Sequence, residues 1–318
     1  MLEIHTISVP TPYVPGPTNA YLIKNHPCTL VDPGPETEEA RKGLLEGLAS
    51  LGMSLRDIRR VVITHSHSDH SGLARWINEQ AGAEIYIHKL EERKLQKNYI
   101  YYHERLPFLA EAGMPENILN EIFEDKDPVV KPVLPESGVV LVHGGEELDF
   151  TGGTATVLHL PGHSSGHICL FEQASGMLLA GDFILKHITP NPVMEADPAD
   201  YSKRTPALRQ YLAGLRRVEM MKIGLILPGH GKTIDNSAET MVNAQKHHAR
   251  RLEACLAKLT GRPLNTYQLM REFYPKIRGF QIYLGISEIF AHLDYLVEEG
   301  LAAREERGGV SYYTKTSA

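Results

Sequence analysis

The run VVITHSHSDHSG, residues 61 to 72, constrains this chain more than any other stretch. Its first half, Val61, Val62, Ile63 and Thr64, is β-branched throughout and suits a buried strand. Its second half sets His65, His67, Asp69 and His70 within six positions. While the backbone stays extended past Ile63, His65 and His67 point to one side, because strand side chains alternate with a period of two. Two imidazoles so placed share one metal ion. Asp69 and His70 follow as the chain turns and face a neighbouring point. Imidazole nitrogen and carboxylate oxygen are ligands that zinc, manganese and iron accept.

The rest of the chain supplies partners in the same setting. HLPGHSSGH puts His163 after a strand and a Pro-Gly turn, LLAGD ends a strand on Asp182, and LILPGH ends another on His230. Strand-end loops of a layered sheet protein gather along one edge. One His-x-His among sixteen histidines is a weak signal, whereas an ordered set of strand-end donors is a specific one.

THSHSDH, PGHSSGH, LLAGD and LPGH, in that order over roughly residues 1–235, resemble the motifs of the metallo-β-lactamase superfamily, and LVDPG with Asp32 resembles its first motif. The resemblance implies an α/β fold, a four-layer αββα sandwich. It implies that His65, His67 and His163 hold one divalent ion, that Asp69, His70 and His230 hold a second, and that Asp182 bridges them. Zinc is the expected metal, with iron or manganese as alternatives. Asp32 is expected to orient a ligand histidine through a hydrogen bond. His67 and His70 are not replaced as they are in the redox branch, and position 182 is not the cysteine of the true β-lactamases. Two ions about 3.5–4 Å apart share and acidify a water. The implied reaction is therefore hydrolysis by a bridging hydroxide, with Asp69 as the catalytic carboxylate that orients it. His187, five residues past Asp182, is placed to reach substrate.

The expected organisation is a catalytic domain over residues 1–237, with a helical insertion at about 89–135, then a connecting helix over 238–260 and a small winged-helix-like domain over 261–318. Within the insertion, NYIYYHERLPF clusters Tyr99, Tyr101, Tyr102, His103 and Phe108, which suits either a lid or a pair of packed surface helices. A helix is expected through residues 200–221, and Asn265 and Ser287 are expected to cap the last two helices. This architecture is similar to that of the β-lactamase-like endoribonuclease family, which brings in single-stranded RNA.

The residues themselves count against nucleic acid. Net charge is -6, and the last long helix presents Glu288, His292, Asp294, Glu298 and Glu299, whereas phosphate binding needs Lys and Arg. The leading reading is a hydrolase of a small ester, thioester or lactone. A metal-dependent endoribonuclease is the enzymatic alternative, and a metal-bound DNA-binding sensor is the alternative from another class. Three widely spaced cysteines suggest neither a disulfide framework nor a thiolate zinc cluster. With no apolar run approaching the ~18 residues of a membrane span, the expected location is cytoplasmic and no membrane partner is expected.

Overall fold

The computed structural model describes residues 1–100, 103–124 and 130–316, and in it two sheets face one another. The first sheet begins with β1 (Ile4–Val9), β2 (Thr18–Ile23) and β3 (Thr29–Val31), and helix α1 (Glu38–Ser50) leads to β4 (Arg60–Ile63). The short α2 (Ser68–Ser71) and then α3 (Ala74–Ala81) connect to β5 (Glu84–His88). Helices α4 (Lys89–Glu92), α5 (Leu106–Glu111) and α6 (Glu116–Glu124) precede β6 (Val139–Val142). These six strands lie in sequence order, antiparallel up to β3 and parallel from there.

The second sheet contains β7 (Glu147–Phe150), β8 (Gly153–His159), β9 (Ile168–Glu172) and β10 (Met177–Gly181). A small hairpin, β11 (Ala196–Asp197) and β12 (Asp200–Arg204), and helix α7 (Ala207–Glu219) intervene before β13 (Leu225–Pro228), which adds parallel to β10 at the edge. Helix α8 (Ser237–Lys258) leads on to β14 (Leu264–Asn265), α9 (Thr266–Phe273), α10 (Phe280–Glu298) and the hairpin β15 (Ala302–Arg307) and β16 (Val310–Lys315).

Alternation along the strands divides the apolar side chains among layers. On β2, Tyr21 and Ile23 face the second sheet and share a core with Val62, Leu170 and Leu179, whereas Ala20 and Leu22 share one with Leu44 and Leu48 of α1. On the outer face of the second sheet, Phe171 and Leu178 pack with Tyr211 and Leu215 of α7 and Met241 of α8. The result is the helix-sheet-sheet-helix sandwich that the sequence motifs imply. A fourth core joins Phe108 and Leu109 of α5 to Cys255 of α8, Leu269 of α9 and Phe290 of α10. The insertion is thus packed on the C-terminal helices. Of its expected aromatic cluster, Tyr101 and Tyr102 lie outside the described residues.

Two expectations change. Residues 200–204 form strand β12 rather than the start of a helix, because Pro206 cannot sit in a helix interior and instead stands at the cap of α7. Ser287 is no cap: α10 starts seven residues earlier, at Phe280, and the Ser287 hydroxyl is buried and donates to Tyr283 O at 2.9 Å. Asn265 does cap α9, in a reciprocal arrangement with Gln268.

The acidic face of α10 is turned onto the body. Arg204 holds Asp294 through two bonds of 2.7 and 2.9 Å, Arg209 pairs with Glu298 and Glu299, and Arg251 lies 3.0 Å from Glu288. No helix among the described residues is long and apolar enough to cross a membrane.

Candidate metal centre

The two sheets are joined where β4, β8, β10 and β13 end. Ile168 N donates to Thr64 O at 2.9 Å, Asn19 N donates to Gly229 O at 2.7 Å, and the Tyr21 hydroxyl donates to Pro228 O at 2.6 Å. The loops leaving these strands therefore open on one cleft, and seven side chains meet there in three overlapping groups. His65, His67 and His163 form one, His65, His70 and Asp182 a second, and Asp69, His70 and His230 a third, with donor atoms of each group within 4.8 Å of one another.

Hydrogen bonds on the far side of each ring decide which nitrogen faces the cleft. The Nδ1–H of His163 donates to Asn191 O at 2.9 Å, and that of His230 reaches the carbonyls of Gly16 and Pro17 at 3.0 and 3.1 Å. Asp32 accepts from His70 Nδ1 at 2.9 Å. The Thr64 hydroxyl donates to Asp32 at 2.7 Å and accepts from His65 Nδ1 at 3.0 Å. Four rings thus turn Nε2 toward the cleft, while His67 presents Nδ1, 3.0 Å from His65 Nε2 and 3.1 Å from His163 Nε2. Asp32 manages this from a left-handed backbone (φ 52°), a conformation that Asp tolerates better than most residues.

Electrostatics sort the cluster. Burial, followed by the charges of neighbouring imidazoles, holds His65 well below its usual pKa and brings His67 down to about 4. Burial also opposes a charge on His70, yet Asp182, Asp69 and Asp32 surround that ring and raise its pKa well above the ordinary value. Burial pushes Asp69 and Asp182 upward, and the histidines beside them more than reverse this, so both carboxyls lie below the usual range. Burial likewise opposes a charge on His230, and the Asp69 and Asp182 carboxylates raise its pKa, so His70 and His230 hold protons that a divalent cation, which needs neutral imidazoles and ionised carboxylates, would displace.

Two further observations fit a metal. Asp182 Oδ1 is buried without a hydrogen-bond partner; its neighbour His70 Nε2 is 3.5 Å away. A buried anionic oxygen left in that state is costly unless a cation takes it. At Gly229, an added Cβ would stand 2.4 Å from Asp182 Oδ1 and 2.8 Å from His70 Cε1, so the chain passes close to the donors only because it has no side chain there.

Some positions were passed over or left open in the sequence. His167, buried, accepts from Asp182 N at 3.2 Å and stacks 5.0 Å from His65, fixing the position of the carboxylate. His187 is exposed in the loop after Asp182. Glu91, Lys94 and Glu195 are buried beside the ligand loops, although KLEERKL reads as a solvated charged helix and carries no local signal of this.

A helix-sheet-sheet-helix sandwich with histidine and aspartate donors gathered where its sheets join defines a class of metallohydrolases. The chain belongs to the metallo-beta-lactamase superfamily, whose family model matches residues 13–230, and it is a hydrolase of that class. It is similar to the Bacillus subtilis protein named "Probable metallo-hydrolase YqjP", 29% identical over 323 residues, which cover 98% of this chain and 97% of that one. It is also similar to the "Atrochrysone carboxyl ACP thioesterase" of Passalora fulva, 24% identical over 307 residues, covering 92% of this chain and 74% of the relative. Among solved structures, a metallo-beta-lactamase family protein from Thermus thermophilus superposes with a TM-score of 0.82 at 28% identity, over 98% of both chains.

Proposed function

We propose that this chain is a dinuclear hydrolase of small acyl substrates, with thioesters as the best-supported class and esters and lactones as chemical kin. The observation that carries this reading is the pairing of two three-donor groups, His65, His67 and His163 beside Asp69, His70 and His230, with Asp182 between them. The Asp182 carboxylate lies 3.5 to 3.8 Å from ring nitrogens of His70, His163 and His230. Bound ions, zinc foremost and iron or manganese as alternatives, supply Lewis acidity and bring the pKa of a water toward neutrality. The thioester class draws support from the Passalora fulva relative, a thioesterase by name.

The chain's own groups do the remainder. Asp69 Oδ2 lies 3.3 Å from His230 Nε2, and its side chain retains 14% of its exposure, so it faces the cleft as an ionised acceptor for the proton of the attacking water. Thr64 and Asp32 keep the His70 ring in its tautomer. His187, exposed in the loop after Asp182, is the proposed substrate contact. Single-stranded RNA is the weaker substrate class, because Arg204, Arg209 and Arg251 beside α10 are committed to its acidic residues instead of being free to neutralise phosphate. A reducing, cytoplasmic setting accords with Cys28, Cys169 and Cys255, all buried and unpaired.

The test is thiol release from short acyl thioesters by protein of measured metal content, run beside Asp69→Ala and beside an end-labelled single-stranded RNA. The expected outcome is thioester turnover that falls at least about 100-fold in the variant, with the RNA left intact. RNA cleavage abolished by the same substitution, without thioester turnover, would move the function to endoribonuclease. Full turnover in a normally metallated Asp69→Ala would remove Asp69 from the mechanism.

A further inference from the structure

Two of the loops that carry the metal donors hang from a pair of buried carboxylates. Glu91 of α4 is fully buried; its Oε2 accepts from Ser66 N at 2.9 Å and its Oε1 from Gly166 N at 2.7 Å. Ser66 stands between His65 and His67, and Gly166 is three residues past His163. Glu195, also buried, accepts from Ser165 N at 3.1 Å through Oε2. One ammonium ties the pair together, since Lys94 Nζ donates to Glu91 Oε1 at 2.7 Å and to Glu195 Oε1 at 2.6 Å. The packing has no slack, because a Cβ at Gly166 would lie 2.8 Å from Glu91 Cγ.

The same group reaches outward. Arg105 Nη2 lies 3.8 Å from Glu195 Oε1, and its Nε donates to the Tyr283 hydroxyl of α10 at 2.7 Å. Tyr283 in turn donates to Met194 O, one residue before Glu195, at 2.7 Å. Two carboxylates, one ammonium and one guanidinium balance in charge away from water, an arrangement that survives only while every member is paired.

We propose that Glu91, Lys94 and Glu195 form a positioning clamp that sets the separation of the His67 and His163 loops, and with it the affinity of the metal position these loops build. The inference rests on the dinuclear reading above. It assigns these residues no contact with substrate or metal; they act through the backbone amides of Ser66, Ser165 and Gly166. Those three amides have no other acceptor assigned among the described residues, so a change at the carboxylates is felt directly by the loops. The position built by Asp69, His70 and His230 is oriented by Asp32 and by the Gly16 and Pro17 carbonyls, which among the described residues make no contact with the clamp, so it is expected to respond less.

The test is a divalent-metal titration of the chelated full chain against a chromophoric chelator, for wild type and for Glu91→Gln, with folding checked by circular dichroism. The side-chain amide that this substitution introduces turns a donor toward one of the N–H groups from which Glu91 now accepts, so one anchor is lost. The expected result is two equivalents in both proteins, one weakened about 10–100-fold in the variant and the other within about threefold of wild type. Both equivalents unchanged in a folded variant, or both weakened alike, overturns the clamp. Should Glu91→Gln fail to fold, Glu195→Gln, which leaves both backbone anchors of Glu91 in place while weakening the Ser165 and Lys94 contacts of Glu195, is judged by the same pattern. A wild type that binds a single equivalent defeats the dinuclear reading by itself. The clamp then stands if Glu91→Gln weakens that equivalent and falls if it does not.

Discussion

Gly229 shows how little room surrounds the donors. Its Cβ position is occupied by Asp182 Oδ1 at 2.4 Å and crowded by His70, so Gly229→Ala must push two donors aside. We expect a folded protein whose turnover falls at least about tenfold, as misplacement of catalytic groups by a fraction of an ångström does; retained activity with full metal content would show that the cluster can give. Asp32 invites a sharper change. Asn, like Asp, tolerates its positive φ, so Asp32→Asn keeps the backbone and the bond from Thr64 N, and puts an amide donor where Oδ2 now accepts from both His70 Nδ1 and the Thr64 hydroxyl. Metal affinity in chelator competition should fall about 10–100-fold, and an unchanged affinity would deny Asp32 its orienting role. The donors were legible in sequence because each of the loops that carry them leaves a strand of branched apolar residues, so alternation and position suffice to draw them together. Glu91, Lys94 and Glu195 were not, because what makes them matter is the approach of α4 to a loop 75 positions away, and no spacing encodes that.

Helix α10 shows the same limit one level up. Its apolar content announced a helix, but its start was hidden, since Gly285 within the stretch FQIYLGIS reads as a breaker when it is in fact a point of close approach to Met270 and Ile277. Strand β12 was hidden likewise, although Pro206 signals it in retrospect; β7 rests on two inward residues, Leu148 and Phe150, in a stretch of only four. Where α10 meets α8, His248 Nδ1 donates to His292 Nε2 at 3.1 Å and His292 Nδ1 donates to Glu288 O at 2.6 Å, leaving His248 Nε2 buried without a partner. Burial foremost, with the nearby cations, brings His248 down to about 3 and His292 to about 4, against about 6.5 for an exposed imidazole. The folded values lie below the unfolded one, so the unfolded chain binds more protons in between. The stability contributed by the neutral pair is complete above about pH 6.5 and is lost as pH falls from there toward 4 and then 3. The double variant His248→Leu, His292→Leu removes both partners, which need not cost much at neutral pH. Its melting temperature should fall less than that of the wild type between about pH 7.5 and pH 5; parallel declines would show that the pair does not titrate on unfolding.

At the scale of the whole molecule, the centre is a joint. Its donors leave β4 of one sheet and β8, β10 and β13 of the other, so whatever fills the cluster ties the sheets together. A ligand that binds only the folded chain stabilises it by about 2.7 kcal/mol when its concentration is 100 times its dissociation constant. Chelation should therefore lower the melting temperature, and excess divalent metal should restore it. The distribution of that shift follows from the packing. The core around α5 and α10 includes Val193, Met194 and Ala196, which belong to the segment between β10 and β12, and Arg204 of β12 is clamped between Glu111 of α5 and Asp294 of α10. With that much of its interior borrowed from the catalytic sheets' own connections, the C-terminal segment has no separate melting unit to offer. Scanning calorimetry of chelated and metallated protein should show a single transition that moves as one. Two transitions, of which metal moves only the first, would mean that the shared core and the Arg204 pairs are too weak to couple the C-terminal helices to the centre.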